Sequence, residues 1–232
     1  MITVVLPTWN GMPHLPAQVG SILRDLPADG VLKVRDDGST DTTCAWLDEE
    51  ARRDPRLQRI PSQGRVGVIR GVELLLAGLP HGVVFLADQD DLWHPGKISR
   101  CLEALATADL VVHDARRVDA DGIPLGDTLF ARRGLGGGVV ANLWRNRFTG
   151  CCMAMRASLL ATALPFPRHL PMHDQWLGLV ALRHGRVAWL GEPLMDYRVH
   201  AGNATATGGG RPSAGPARRL LWRLQALQAL SR

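Results

Sequence analysis

Val83-Val84-Phe85-Leu86-Ala87-Asp88-Gln89-Asp90-Asp91-Leu92-Trp93 decides how this chain reads. Five apolar residues predict a buried strand, and three carboxylates follow within four positions at its carboxyl end. Like charges held so close repel unless a cation or donor groups lie between them. Hard cations such as Mg²⁺ and Mn²⁺ take oxygen ligands and share them with substrate phosphates. The stretch therefore points to a phosphate-handling site at a strand end rather than to a solvated acidic turn.

On either side, short apolar runs alternate with helical periodicity, the pattern of stacked βα units and a mostly parallel sheet. Ile2–Leu6 reads as a strand ended by Pro7, and Val31–Val34 and Leu57–Ile60 as two more. Leu15, Val19, Ile22, Leu23 and Leu26 recur at helical spacing, as do Val68, Ile69, Val72, Leu75, Leu76 and Leu79. Ser39 or Thr40 is expected to cap the helix carrying Trp46, and Pro95 to sit in the first turn of the helix that follows the acidic cluster. After a strand at Leu110–Val112 the rhythm breaks. Residues 115–148 read as a long Gly- and Arg-rich loop with a short helix near 139–145. A strand at Cys151–Met155, a helix at Asp174–Arg183 and a final strand at Val187–Leu190 complete the body. Residues 201–217 read as a flexible linker to a helix at 218–230.

Composition sets the class. The 232 residues are 46% hydrophobic and 21% charged, ordinary for one large α/β domain. Residues 211–232 hold five arginines and no acid, which accounts for the net charge of +5. No basic stripe or reading module over the body suggests nucleic acid. Cys44, Cys101, Cys151 and Cys152 have no metal-binding spacing, and Cys151 and Cys152 would face opposite ways in a strand. Reduced thiols in a cytoplasmic protein follow. No signal peptide is expected before the first strand, and no apolar run nears the ~20 residues that span a bilayer.

Ligands of open α/β sheets bind outside the carboxyl ends of strands. Three polar clusters fall there: Pro7-Thr8-Trp9-Asn10, Asp36-Asp37-Gly38-Ser39 and Asp88-Gln89-Asp90-Asp91. Asp36 or Asp37 can accept from a pyrimidine N–H, and Trp9 can cover a base or ribose. His113-Asp114, after its strand, is equally open to a sugar contact or a packing role.

In order and spacing these clusters resemble the successive signatures of family 2 glycosyltransferases over roughly residues 1–205. The resemblance implies a GT-A fold, a nucleotide-sugar donor and a divalent metal, Mn²⁺ or Mg²⁺. It divides the chain into a nucleotide-sugar half (1–114), an acceptor half (115–205) and a basic C-terminal appendage (206–232). Pro7, Thr8, Trp9, Asn10, Asp36, Asp37, Asp88 and Gln89 would hold the donor, and Asp90 the metal. His173-Asp174-Gln175-Trp176 resembles the segment whose Asp is the family's catalytic base, which puts His173, Gln175 and Trp176 beside the acceptor, with His113 and Asp114 as further candidates. Tyr197-Arg198-Val199-His200-Ala201-Gly202-Asn203 resembles the segment that brings a late metal-ligating His, here His200.

Two positions depart from the family pattern. Gly71 stands where Asn is usual after Arg70, which can still neutralise donor charge, and Arg35 replaces an apolar strand residue. The resemblance implies a single inverting displacement, with Asp174 deprotonating an acceptor hydroxyl. The Asp88–Lys97 string looks most like the bacterial rhamnosyltransferase branch, which would make the donor a dTDP-sugar, or otherwise a UDP-sugar. The acceptor would be a saccharide or a lipid-linked molecule of cell-surface polysaccharide synthesis. The terminal helix, with Trp222 at the interface, would lie on an anionic membrane or pack on protein. A haloacid-dehalogenase-type phosphohydrolase would need a supporting Lys further downstream, and none exists beyond Lys97, while a sugar-nucleotide pyrophosphorylase lacks its Gly-rich N-terminal loop. A non-catalytic nucleotide- or carbohydrate-binding relative is the remaining alternative.

Overall fold

Strands buried on both faces read as unbroken apolar runs, and the first half of the chain is built from them. The computed structural model describes residues 1–12, 14–62, 64–79, 81–168, 170–200 and 215–230, the side chains of 216–219 excepted. β1 (Ile2–Thr8), β2 (Val31–Asp36), β3 (Leu57–Ile60) and β4 (Val83–Leu86) pair in parallel in the order β3-β2-β1-β4. α1 (Leu15–Asp25), α2 (Thr43–Arg53) and α3 (Val68–Leu76) make the crossovers. Val4, Val5 and Leu6 of β1 are wholly buried between them.

The sheet continues with a change of direction. β8 (Met153–Arg156) runs antiparallel to both β4 and β6 (Leu110–Val118). β9 (Val187–Arg198) runs parallel to β6 and antiparallel to β5 (Leu92–Trp93), and β7 (Pro124–Thr128) forms a hairpin with β6. Among the described residues four strand pairings are parallel and four antiparallel, so the sheet is mixed rather than mostly parallel. Helices flank it: α4 (Lys97–Leu105), α5 (Leu129–Arg133), α6 (Val139–Trp144), α7 (Leu160–Ala163), α8 (His173–His184) and α9 (Pro216–Leu230).

Several elements depart from the sequence reading. β1 runs on through Pro7, because its pairing with β4 stops at Val5 and the missing N–H falls on an unpaired side. Residues 115–148 are no long loop: β6 continues to Val118, and β7 and α5 follow before α6, which lies where the short helix is expected. Arg116 and Arg117 hide that strand from a hydrophobic pattern, but Asp196 and Asp127 neutralise them across the sheet. β6 also passes through residue 114, where the sequence reading divides the two halves. β9 extends eight residues past Leu190, through register shifts opposite His113 and Asp114. Cys151 and Cys152 lie in a 3₁₀ turn, Gly150–Cys152, both buried, rather than on opposite faces of a strand.

Helix starts differ as well. α2 begins at Thr43 without a side-chain cap, and Ser39 instead donates to the Asp36 carboxylate. Pro95 precedes α4, whose first amides are met by Asp25: Gly96 N and Ile98 N donate to its two oxygens at 2.8 and 2.7 Å. α9 starts at Pro216 and buries Trp222, Ala226 and Leu230, so Trp222 faces protein, not an outer interface. The expected linker falls mostly on 201–214, outside the described residues.

Candidate active site

The order β3-β2-β1-β4 sends the chain to opposite sides of β1, and a cleft opens outside the carboxyl ends of β1 and β4, as strand-order reversals produce. Its volume is about 480 Å³. Pro7, Thr8 and Trp9 come from the end of β1, Asp88, Gln89 and Asp90 from the end of β4, and Thr149, Gly150, His173 and Asp174 from the opposite wall. Gln89 ties two strand ends together. Its Oε1 accepts from Thr8 Oγ1 at 2.7 Å and from Trp9 N at 2.9 Å.

One wall is a flat apolar and cationic surface. Trp9 is 40% exposed, and the Arg65 guanidinium lies 3.8 Å above its ring. Arg65 sits between Gly64 and Gly67, whose φ values of 99° and 81° suit glycine alone. Asp37 shapes this loop: its carboxylate accepts from Val66 N and Gly67 N at 2.8 and 2.7 Å and from buried Arg35 at 2.7 Å. Burial raises the Asp37 pKa, but these donors outweigh it and hold the group below the usual carboxylate range. Arg35, out of place in an apolar strand, thus anchors the cleft wall, also donating to Gly64 O at 3.2 Å.

The acidic end of β4 meets the last strand. His200 Nε2 lies 2.6 Å from Asp90 Oδ2, and the His14 ring stacks on His200 at 5.8 Å. Asp91 is buried, its Oδ1 accepting from Arg198 N at 3.2 Å while its Oδ2 has no hydrogen-bond partner among the described residues. Burial, then the charge of Asp90, pushes the Asp88 carboxyl up to about 7, and the same two causes raise Asp91 well above the usual range. These residues fit a divalent cation. They supply carboxylate oxygen and imidazole nitrogen, the donors Mn²⁺ accepts, and one buried carboxyl oxygen stands without a hydrogen-bond partner among the described residues. Asp88, Asp91 and Cys151 also bring donor atoms within 4.8 Å of one another. Beneath them Lys97 is fully buried, donating to Cys151 O at 2.9 Å and lying 3.9 Å above the Trp93 ring. Burial lowers its pKa.

Asp174 opens α8 and faces the cleft. Its Oδ1 accepts from Gln175 N at 2.6 Å and from Asn146 Nδ2 at 3.1 Å. His173 beside it is buried, which lowers its pKa, and its ring packs so closely on Gly150 that a Cβ there would sit 2.9 Å from Nε2.

The model of the family described as Glycosyl transferase family 2 matches residues 3–162. The chain belongs to that family. Among curated relatives, this family 2 chain is 36% identical over 121 residues to an undecaprenyl-phosphate mannosyltransferase of Micrococcus luteus, covering 50% of this chain and 48% of that one. It is 35% identical over 116 residues to a polyprenol monophosphomannose synthase of Mycolicibacterium smegmatis, covering 47% and 43%. The chain thus spans less than half the length of these curated relatives. Among solved structures it resembles Staphylococcus aureus TarS 1-349 in complex with UDP-GlcNAc, with 17% identity, a TM-score of 0.71 and coverage of 91% and 62%. It also resembles the Pyrobaculum calidifontis mannosyltransferase PcManGT in complex with GDP-Man and Mn²⁺, with 20% identity, a TM-score of 0.68 and coverage of 100% and 64%. Both likenesses support the GT-A fold. The relatives' names speak of mannose, not of the rhamnosyl branch.

The fold of this family 2 chain sorts the residues expected at the site. Pro7, Thr8, Trp9, Asp37, Asp88, Gln89, Asp90, His173 and Asp174 line one cleft, with His200 against Asp90. Others point elsewhere. Asp36 is spent on its own turn, accepting from Gly38 N, Ser39 N, Ser39 Oγ and Cys44 Sγ. Asn10, at φ 47°, receives Thr40 N at 2.8 Å and bridges two loops. Arg70 pairs with Glu73 at 2.6 Å outside the cleft, and Arg65 takes the place foreseen for it. His113 and Asp114 are buried in β6, the Asp114 carboxylate accepting from Ala115 N and Phe130 N. Gln175 donates to Asn142 O at 2.6 Å and Trp176 to Ala163 O at 2.9 Å, so both hold α8 in place rather than meet the cleft. Arg65, Asn146 and His14 escape the motif reading, and Lys97, which closes the Asp88–Lys97 string, receives no role from it. Only Arg65 has a local signal, its two flanking glycines.

Proposed function

We propose that this chain is an inverting, metal-dependent glycosyltransferase that moves a hexosyl group from a nucleotide-sugar to a hydroxyl of a lipid-linked saccharide. The observation that carries the reading is Asp174, a carboxylate held by Asn146 across the cleft from the acidic end of β4. Trp9, Arg65 and the Asp37 loop form a surface suited to a nucleoside, with Thr8 and Gln89 at its edge. Asp90 and His200, with Asp88 alongside, would hold a divalent ion, which when bound offsets charge on the departing diphosphate. Asp174 takes the proton of the acceptor hydroxyl as its oxygen bonds to the anomeric carbon and the sugar–phosphate bond breaks. The nucleoside diphosphate leaves, and one displacement inverts the centre.

The relatives' names favour a second acceptor, a polyprenyl phosphate. A phosphate oxygen attacks already ionised, so it needs no base, and a carboxylate facing it would repel it. Their mannosyl names add a GDP-sugar to the dTDP- and UDP-sugars that the sequence suggests. Thermal unfolding with GDP, UDP or dTDP, each with and without Mn²⁺, tests the donor site, since a bound ligand stabilises by mass action. One nucleotide should raise the melting temperature in a Mn²⁺-dependent way, and Asp90→Ala should abolish the Mn²⁺ dependence. No response to any nucleotide with Mn²⁺ would leave the non-catalytic relative.

A further inference from the structure

We infer that α6 and α9 together form a docking surface for an anionic phospholipid bilayer beside the acceptor wall of the cleft. This deepens the proposed function, and rests on it for the lipid-linked acceptor. α9 is two-sided. Trp222, Ala226 and Leu230 are buried, while Leu220, Leu221, Leu224 and Leu227 are 46–56% exposed. Spaced three and four apart, the outer leucines share one face. α6 continues that surface: Arg223 of α9 donates to Leu143 O at 3.1 Å, and its guanidinium lies 4.0 Å above the Trp144 ring. Trp144 and Val140, one helical turn apart on α6, are 68% and 67% exposed.

Charge selects the partner. Residues 128–173 contain six arginines and neither Asp nor Glu, and 197–232 are likewise free of acid. Arg145 is exposed beside α6 and donates to Arg132 O at 3.2 Å, while the Arg132 side chain pairs with Asp127. Leucines on one side, a tryptophan at the rim and an excess of arginine over acid match the headgroup and acyl boundary of an anionic leaflet. The surface is also tied to the chemistry. Gln175 of α8 donates to Asn142 O in α6, and Asn146, two residues beyond α6, holds Asp174. A bilayer docked here would present its acceptors next to the candidate base.

The test uses the full chain with vesicles of phosphatidylcholine alone and of phosphatidylcholine with phosphatidylglycerol. Co-sedimentation is expected with the anionic vesicles at low salt, weakening as salt screens the arginines. Leu221→Glu with Leu224→Glu should weaken it by roughly ten-fold or more, as loss of buried leucine area implies. Val140→Glu with Leu227→Glu should act alike from the other side of the patch. Circular dichroism and the nucleotide-induced thermal shift should match the parent in both double variants. Parent protein that stays in the supernatant, or variants that sediment equally with vesicles, would overturn the inference. So would a dimer in sedimentation velocity that the variants split while vesicles are ignored, because a second copy would then cover the face. Vesicle binding without any nucleotide response would instead remove the proposed function and leave the surface standing.

Discussion

At Asp174 the hydrogen-bond pattern already distinguishes two chemistries. Among the described residues both hydrogen bonds to its carboxylate fall on Oδ1, from Gln175 N and Asn146 Nδ2, which fixes the rotamer and leaves the other oxygen for a proton. Asp174→Asn preserves size and loses basicity. With a hydroxyl acceptor, turnover should fall by ~10²–10⁴-fold, the usual worth of a general base, while the nucleotide-induced thermal shift holds. With a phosphate acceptor there is no proton to take, and the same variant should keep most of its rate. Single-turnover assays with a polyprenyl phosphate and with a lipid-linked sugar separate the two.

Elements meet here through small residues placed where two surfaces approach. Gly178 lies in the middle of α8, where alanine would ordinarily favour a helix by ~1 kcal/mol. A Cβ there would fall on the ring of Phe148, a fully buried residue of the wall leading to Thr149 and Gly150. Overpacking of that kind costs about 1–3 kcal/mol. Gly178→Ala should therefore lower the urea midpoint with an unchanged slope, and a raised midpoint would mean that the ring can withdraw. Such contacts also mark what the chain does and does not announce locally. β3 is found at its expected bounds, and the ends of β1 and β4 bring Pro7, Thr8, Trp9, Asp88, Gln89 and Asp90 to one cleft. β1 and β4 are mostly apolar and buried, so the runs place them, although β1 continues two residues past Leu6. β6 and β9 carry three charged residues each, and Arg116 with Asp196 makes sense only once the two strands are paired. The same limit hid the fate of His113 and Asp114, which β9 covers, and misassigned Arg70. Two glycines and the Arg35–Asp37 pair direct Arg65 to the cleft, and that pairing spans strand and loop.

For the molecule as a whole, the acidic strand end pulls against the rest of the charge arrangement. Asp88, raised to about 7, and Asp91, raised well above its usual range, bind protons in the native state that the unfolded chain has released. Their contribution to stability therefore falls as pH rises from about 4 towards 7. Asp36, Asp37 and Asp196 are lowered because their hydrogen bonds outweigh burial, so their contribution is present above the usual carboxylate pKa and lost in acid below it. His14, His113 and His173, whose pKa values burial lowers, act in the opposite direction through the same range, because the unfolded chain takes up their protons below about pH 6.5. The carboxylate share is therefore read by difference: without metal, Asp88→Asn should gain more melting temperature over the parent at pH 7.5 than at pH 5.5. An equal gain at both pH values would show that the carboxylates are not crowded. The union of Arg198 with Asp91 and of His200 with Asp90 carries one more consequence, because it joins positions 107 and 110 residues apart. A chain leaving the ribosome displays its acidic cluster long before the partners of that cluster have been synthesised. Distant pairings also form late, since their closure entropy is met before contacts repay it. Competence to hold a nucleotide should thus be the last property acquired: on dilution from urea, nucleotide-dependent fluorescence is expected to lag the recovery of far-ultraviolet ellipticity.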